Sequence, residues 1–145
     1  ENKTRPLMIG GIEITSDLAL EGHSDADVLL HALADAILGA CGFSDIGTYF
    51  SDKEPANKNL NSSIILKRSL DMMRQKGYRL SNCDITIIGE KPRMSPHREQ
   101  IVDRLAELCE IDRDRIALKA TTTEKMGALG RSEGLGCSAT VLVVK

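Results

Sequence analysis

The chain has 145 residues, 41% of them hydrophobic, and a formal net charge of −2, which suits one ordinary globular domain with a real core. Lys and Arg are scattered rather than gathered in a basic run, and with no Trp, two Tyr and two Phe there is little for bases to stack on, so nucleic acid is not an expected partner. An apolar span of about 18 residues and a Lys/Arg-led apolar leader are both missing, so the chain as given is expected neither to span a membrane nor to carry a secretory signal.

In chain order, Leu7-Met8-Ile9-Gly10-Gly11-Ile12-Glu13-Ile14 reads as a short hairpin turning at the glycine pair. A helix follows, with Ser24 or Asp25 as its cap. Val28, Leu29, Ala32, Ala36 and Ile37 fall at near-helical spacing, and Gly39 and Gly42 offer places to stop. The segment from Phe43 to Asn61 is polar and turn-rich. A second helix is predicted over Ser62 to Gln75, with Gly77 at its end, and a strand over Cys83 to Ile88. Ser95-Pro96 is a cap-plus-first-turn pair for a third helix carrying Ile101, Val102, Leu105 and Leu108. Strands over Ile116 to Ala120 and Ser138 to Val144 complete an α+β, two-layer sheet-and-helix domain. Cys41, Cys83, Cys109 and Cys137 are far apart in apolar surroundings, and they read as reduced, partly buried thiols.

Four segments carry candidate chemistry. The run Thr121-Thr122-Thr123-Glu124-Lys125-Met126-Gly127, with Gly130-Arg131 after it, combines hydroxyl donors, a carboxylate and two cations. It suits phosphate oxygens and a hard divalent cation, or else is a polar strand end and turn. The run from His23 to His31 holds two histidines and two carboxylates at one helix start. The simpler reading is an acidic start that complements the helix dipole, with His31 merely paired to a carboxylate. The sharper one makes His31 a metal ligand whose second nitrogen is held by a carboxylate, although one histidine does not make a zinc site. Asp45-Ile46-Gly47 followed by Phe50-Ser51-Asp52-Lys53-Glu54 is either ordinary turn chemistry or a polyol-recognition loop. Gly89-Glu90-Lys91-Pro92-Arg93-Met94-Ser95 connects a strand to a helix, where ligands of such folds commonly sit, or is a proline-stiffened connection.

These segments occur in an order that closely resembles the 2-C-methyl-D-erythritol 2,4-cyclodiphosphate synthase family of the non-mevalonate isoprenoid pathway. The resemblance is carried by His-Ser-Asp-x-Asp-Val-x-x-His-Ala-Leu-x-Asp-Ala-x-Leu-Gly-Ala, then Asp-Ile-Gly-x-x-Phe, then Lys-Ala-Thr-Thr-Thr-Glu-Lys-x-Gly, and runs from about Leu7 to the end. It implies a homotrimer of α+β subunits with active sites between neighbours. The implied reaction converts 4-diphosphocytidyl-2-C-methyl-D-erythritol 2-phosphate into the cyclic diphosphate and CMP, in a bacterial cytoplasm or a plastid stroma.

The resemblance also implies roles. His31 matches a zinc ligand, and His23 and Ser24 match contacts to the methylerythritol phosphate, with His23 placed to stabilise the transition state. Asp45, Ile46 and Gly47 match the polyol-binding element, extended by Phe50, Ser51, Asp52, Lys53 and Glu54. Gly89, Glu90, Lys91, Pro92, Arg93, Met94 and Ser95 match a cytosine pocket that reads the base mainly through backbone groups. Thr121, Thr122 and Thr123 match diphosphate-binding threonines, Thr122 being the transition-state partner. Glu124 matches the ligand of a magnesium or manganese ion between the phosphates, and Arg131 a further phosphate contact. Two departures stand out. The family's Asp-x-His pair, which completes the zinc site upstream of the hairpin, is missing from Glu1-Asn2-Lys3-Thr4-Arg5-Pro6, so a leader carrying it is expected. Ala128 stands where family members can carry an aromatic residue. A trimeric nucleotide- or phosphate-binding module without catalysis is the alternative if that pair is truly absent.

Overall fold

The structure is a computed structural model that describes residues 6–14, 27–51, 53–57, 60–132 and 134–145. Two strands, β1 (Leu7–Ile9) and β2 (Ile12–Ile14), form the expected hairpin, with Gly10 at φ 61° and Gly11 at φ 80° in its turn. Helix α1 (Val28–Ala40) is apolar nearly all round, and Leu29, Leu30, Leu33, Ala34, Ile37 and Leu38 are buried, which makes it the central helix of the core. Its N-cap is Asp27 rather than Ser24 or Asp25, both of which lie outside the described residues.

The reason is tertiary. The fully buried Asp27 carboxylate accepts the helix amide of Leu30 at 3.0 Å and also the hairpin amides of Gly10 at 3.0 Å and Gly11 at 2.8 Å. One side chain thus satisfies a helix start and a turn that would otherwise bury free N–H groups. Gly39 stays inside α1, which ends at Cys41 with Gly42 just beyond at φ 80°.

The polar stretch after α1 folds into a single helical turn, α2 (Ile46–Tyr49), and a 3-10 turn at Pro55–Asn57. Helix α3 (Ser62–Gln75) has the predicted bounds, is capped by Asn61, and lays Ile65, Leu66, Leu70 and Met73 against α1. Strand β3 (Arg79–Ile88) starts four residues earlier than its apolar alternation indicates, because pairing with the last strand carries it past a register irregularity between Leu80 and Asn82. Ser95 and Pro96 open a 3-10 turn, Ser95–His97, and the regular helix α4 (Arg98–Cys109) begins only at Arg98. Strand β4 (Ile116–Thr121), the one-turn helix α5 (Gly127–Gly130) and strand β5 (Gly136–Val144) complete the chain.

The main sheet has the order β4-β3-β5, with β4 parallel and β5 antiparallel to the central strand. Cys83, Ile85 and Ile87 of β3 and Ile116 and Leu118 of β4 face the helices and join the buried cluster. The opposite face carries Asp84, Ala117, Lys119, Ser138, Thr140 and Leu142, all exposed, Leu142 to 54%. The fold is therefore a mixed α+β domain with helices layered on one face of a sheet. All four cysteines are free, three of them buried. Among the described residues no helix is long and apolar enough to cross a membrane.

Candidate functional site

The parallel pairing of β3 and β4 places their C-terminal ends side by side, with Ile88 opposite Thr121. The loops that leave these ends stay joined, because the Gly89 amide donates to the Thr121 carbonyl at 3.0 Å. Between them lies a depression of about 170 Å³, lined by Gly89, Glu90, Pro92, Arg93, Met94 and Ser95 on one side and by Ala120, Thr121 and Thr122 on the other. Two segments that the sequence presents separately thus form one concave surface beyond the carboxyl ends of parallel strands, where ligands of such sheets are held. Met94 is buried beneath it and fixes the loop to the core.

The threonine segment forms a tight turn. Glu124 and Lys125 adopt φ 52° and 66°, a left-handed conformation uncommon for residues with a side chain. The Glu124 amide donates to Thr122 Oγ1 at 3.1 Å, which engages one lone pair of that hydroxyl and leaves its proton for an anionic oxygen. The Thr123 hydroxyl donates instead to the Met126 carbonyl at 2.7 Å, so a contribution of Thr123 to an anion falls to its main chain in this arrangement. Glu124 and Arg131 are exposed, the latter directly after α5.

Asp45 lies in a different depression, of about 440 Å³, lined also by Ala32, Asp35, Ala36, Gly39, Phe43, Ser44, Cys137 and Ala139, and Gly47 follows it in the exposed turn of α2. Asp45 is the N-cap of α2, and its Oδ1 accepts both the Thr48 amide at 2.9 Å and the Thr48 hydroxyl at 2.8 Å. These bonds, the hydroxyl one foremost, hold the fully exposed Asp45 carboxyl below its ordinary pKa. Asp35 fixes the same loop by accepting the Ile46 amide at 2.8 Å. Tyr49 takes the Ser44 amide on its hydroxyl at 3.1 Å and packs edge-on against Phe43, their ring centroids 6.2 Å apart. Phe50 packs on the core and Ser51 accepts the Lys53 amide on its hydroxyl, while Lys53 and Glu54 are exposed. Asp52, like His23 and Ser24, lies outside the described residues.

His31 stands on the first turn of α1, and its Nε2 lies 2.9 Å from Oγ of the buried Ser62 at the start of α3. Asp35, four residues on, is turned to the α2 loop rather than to His31. Among the described residues no group of three or more His, Cys, Asp or Glu side chains could hold a metal ion. For zinc the described donors fit only in part, since His31 is one ligand of the three or four required. Of the residues singled out, the structure brings the 89–95 and 121–122 sets together and leaves 45–47 apart within one chain. Sequence reasoning missed Ser62; it put Asp27 and Asp35 on one helix face with His31 by their four-residue spacing, but did not find that Asp27 holds the hairpin amides or that Asp35 holds the Ile46 amide.

The YgbB family profile matches residues 1–144. Proteins named 2-C-methyl-D-erythritol 2,4-cyclodiphosphate synthase share much of the sequence. That of Leptospira borgpetersenii is 52% identical over 99% of this chain and 89% of its own, and that of Bacillus mycoides is 51% identical over 97% and 89%. Among solved structures, the bifunctional IspDF of Campylobacter jejuni superposes with a TM-score of 0.92 at 39% identity, and this chain, covered to 98%, spans 38% of it. A 2C-methyl-D-erythritol-2,4-cyclodiphosphate synthase structure in a CDP-bound form superposes with a TM-score of 0.89 at 33% identity, covering 97% of this chain and 91% of that one.

Proposed function

The chain belongs to the YgbB family, and we propose that it cyclises 4-diphosphocytidyl-2-C-methyl-D-erythritol 2-phosphate to 2-C-methyl-D-erythritol 2,4-cyclodiphosphate with release of CMP, as its named relatives do. The observation that carries this reading is the concave surface where residues 89–95 meet Thr121 and Thr122. It offers a base-sized recess beside hydroxyl donors, as a cytidine diphosphate requires, and a relative has been solved with CDP bound.

The reaction is an intramolecular attack of the 2-phosphate on the β-phosphorus. The new P–O bond forms as the bond to CMP breaks, and the leaving group departs as the CMP anion. No protein nucleophile is needed; the work is to fold the substrate back on itself and offset crowded negative charge. Main-chain groups of residues 89–95 hold the cytosine, and Arg93 adds a cation at the rim. The Thr122 proton donates to a diphosphate oxygen, supported by main-chain N–H groups of the turn, and Arg131 adds positive charge. Asp45, with Oδ1 engaged by Thr48, accepts polyol hydroxyls on Oδ2, and residues 50–54 with His23 and Ser24 are assigned to the methylerythritol phosphate by the resemblance alone. Glu124 would offer its carboxylate to a magnesium or manganese ion and His31 one imidazole to a zinc ion, whose chemistry would be to polarise phosphoryl oxygens and offset their charge.

The polyol element and the nucleotide element lie in separate depressions of one chain, one against α1 and β5, the other beyond β3 and β4. A homotrimer that sets the first element of one copy beside the second of its neighbour reconciles them. The exposed sheet face, with its small Ala117, Ser138 and Thr140 and the exposed Leu142, supplies a surface for such packing. The setting proposed is a bacterial cytoplasm or a plastid stroma.

The test measures cyclodiphosphate and CMP formation against divalent-ion concentration for the protein and for Glu124→Gln. The variant is expected to lose about two to four powers of ten in kcat/KM, as single electrostatic stabilisers do when removed. Equal rates and equal metal dependence would remove Glu124 from the site, and no cyclisation by the unaltered protein would refute the function.

A further inference from the structure

Besides the main-chain bond from Gly89 to Thr121, a side chain links the base loop and the phosphate loop. Glu90 Oε1 accepts the Lys125 amide at 2.6 Å, across 35 residues of sequence. The amide it holds belongs to the second of two successive left-handed residues, Glu124 at φ 52° and Lys125 at φ 66°. Such a pair disfavours itself locally and persists only where its surroundings impose it. On the other side of the turn lies Gly130, whose absent β-carbon would stand 2.1 Å from the Lys125 carbonyl carbon. The turn is therefore clamped between a carboxylate from the base loop and a bare stretch of main chain on α5.

We infer that Glu90 is a positioning residue for the turn that aims Glu124, so that the base loop sets the orientation of the phosphate-loop carboxylate. This rests on the cyclisation reading for its functional consequence, and on Glu90 acting through Lys125 rather than by touching the base. The bond is charge-assisted and short, so its loss is felt more than that of a neutral surface contact. Glu90 itself is half-buried, while the Lys125 whose amide it holds is exposed. A glutamine at position 90 keeps the acceptor oxygen and loses only the charge, whereas alanine removes the acceptor.

The experiment compares Glu90→Ala and Glu90→Gln with the unaltered protein by three readouts. The first is amide hydrogen exchange at Lys125 in the free protein, which needs no substrate. The second is CMP binding without divalent ion, and the third is cyclisation rate against magnesium concentration. Glu90→Ala is expected to speed Lys125 exchange by about tenfold and to raise the magnesium needed for half-maximal rate by a similar factor. Metal-free CMP binding should change by less than about threefold, and Glu90→Gln should recover most of the loss. Unchanged Lys125 exchange in Glu90→Ala overturns the inference whatever the activity. A loss confined to metal-free CMP binding, equal in both variants, also overturns it by making Glu90 a base contact. Absence of cyclisation by the unaltered protein, with faster Lys125 exchange in Glu90→Ala, refutes the function and keeps the positional role.

Discussion

A β-carbon on Gly130 would stand 2.1 Å from the carbonyl carbon of Lys125 and 2.7 Å from its Cα, nearer than any side chain tolerates. Both obstacles are main chain, so no rotamer change relieves them. Gly130→Ala is expected to push the 124–125 turn outward and lower kcat/KM by at least about tenfold, with a circular dichroism spectrum like that of the unaltered protein. Full activity in a folded Gly130→Ala protein would show that the turn need not sit where it does.

Asp27 ties α1 to the hairpin through the amides of Gly10, Gly11 and Leu30. Asp27→Ala removes the N-cap and leaves buried donors without an acceptor, a loss of about 3 kcal/mol from capping and desolvation together. Urea denaturation of the two proteins reads this directly. Asp27→Asn keeps a cap but offers one acceptor oxygen instead of two, and falls between them. A midpoint for Asp27→Ala within error of the unaltered protein would mean that the hairpin docks by apolar packing alone.

The thiols give stability a dependence on alkaline pH. Burial pushes Cys83 and Cys109 from 9.0 up to about 12, Cys83 adding a smaller upward push on Cys109. In the unfolded chain they ionise near 9, so the folded state binds more protons above that point. Their contribution is complete below pH 9 and is lost as pH rises from there toward 12. Replacing both by alanine should flatten this decline in urea midpoints measured at pH 8, 9.5 and 10.5, and the native thiols should resist a disulfide reagent at pH 8. Rapid native modification at either position would contradict the burial described.

Thr48 holds the Asp45 carboxyl below its ordinary pKa through two hydrogen bonds to Oδ1. Thr48→Val keeps the shape, removes the hydroxyl bond, and moves the Asp45 pKa upward toward 3.8. Because the carboxyl is lowered in the folded state, its stabilising effect is present above the ordinary value and fades as pH falls. Carbonyl-carbon NMR titration of Asp45 checks the direction. In the cyclisation assay the same variant should raise KM more than it lowers kcat, since on the proposed reading the loop would orient the polyol rather than the reacting phosphates.

Legibility in the sequence followed the range of the interactions. Helix α3 was readable to the residue because Asn61, its amphipathic stripe and Gly77 all act locally. The cap of α1 was misplaced because what selects Asp27 over Ser24 or Asp25 is a turn sixteen and seventeen positions away. The late start of α4 is local instead, since the Ser95-Pro96 pair opens a 3-10 turn and only Arg98 onward is regular helix. At the site, the chemistry of each segment could be read from residue types, and a resemblance gave their order a meaning. What joins the segments could not, because the bond from Glu90 to Lys125 and the contact of His31 with Ser62 exist only once the strands and helices are packed.

The opposition of Ile88 and Thr121 across two parallel strands makes the sheet a ruler. Neighbouring strands lie about 4.8 Å apart whatever side chains they carry, because main-chain hydrogen bonding sets that spacing. The origins of the base loop and the phosphate loop are therefore separated by a length that point substitutions do not alter. Side-chain changes in either loop can retune how tightly a ligand is gripped, but on the proposed reading the distance between where its base and its phosphates would be met is written in the backbone. A ligand with a longer or shorter spacer would have to be accommodated by remodelling the loops themselves, and selection for a new nucleotide length would act on insertions there before it acted on residue identity.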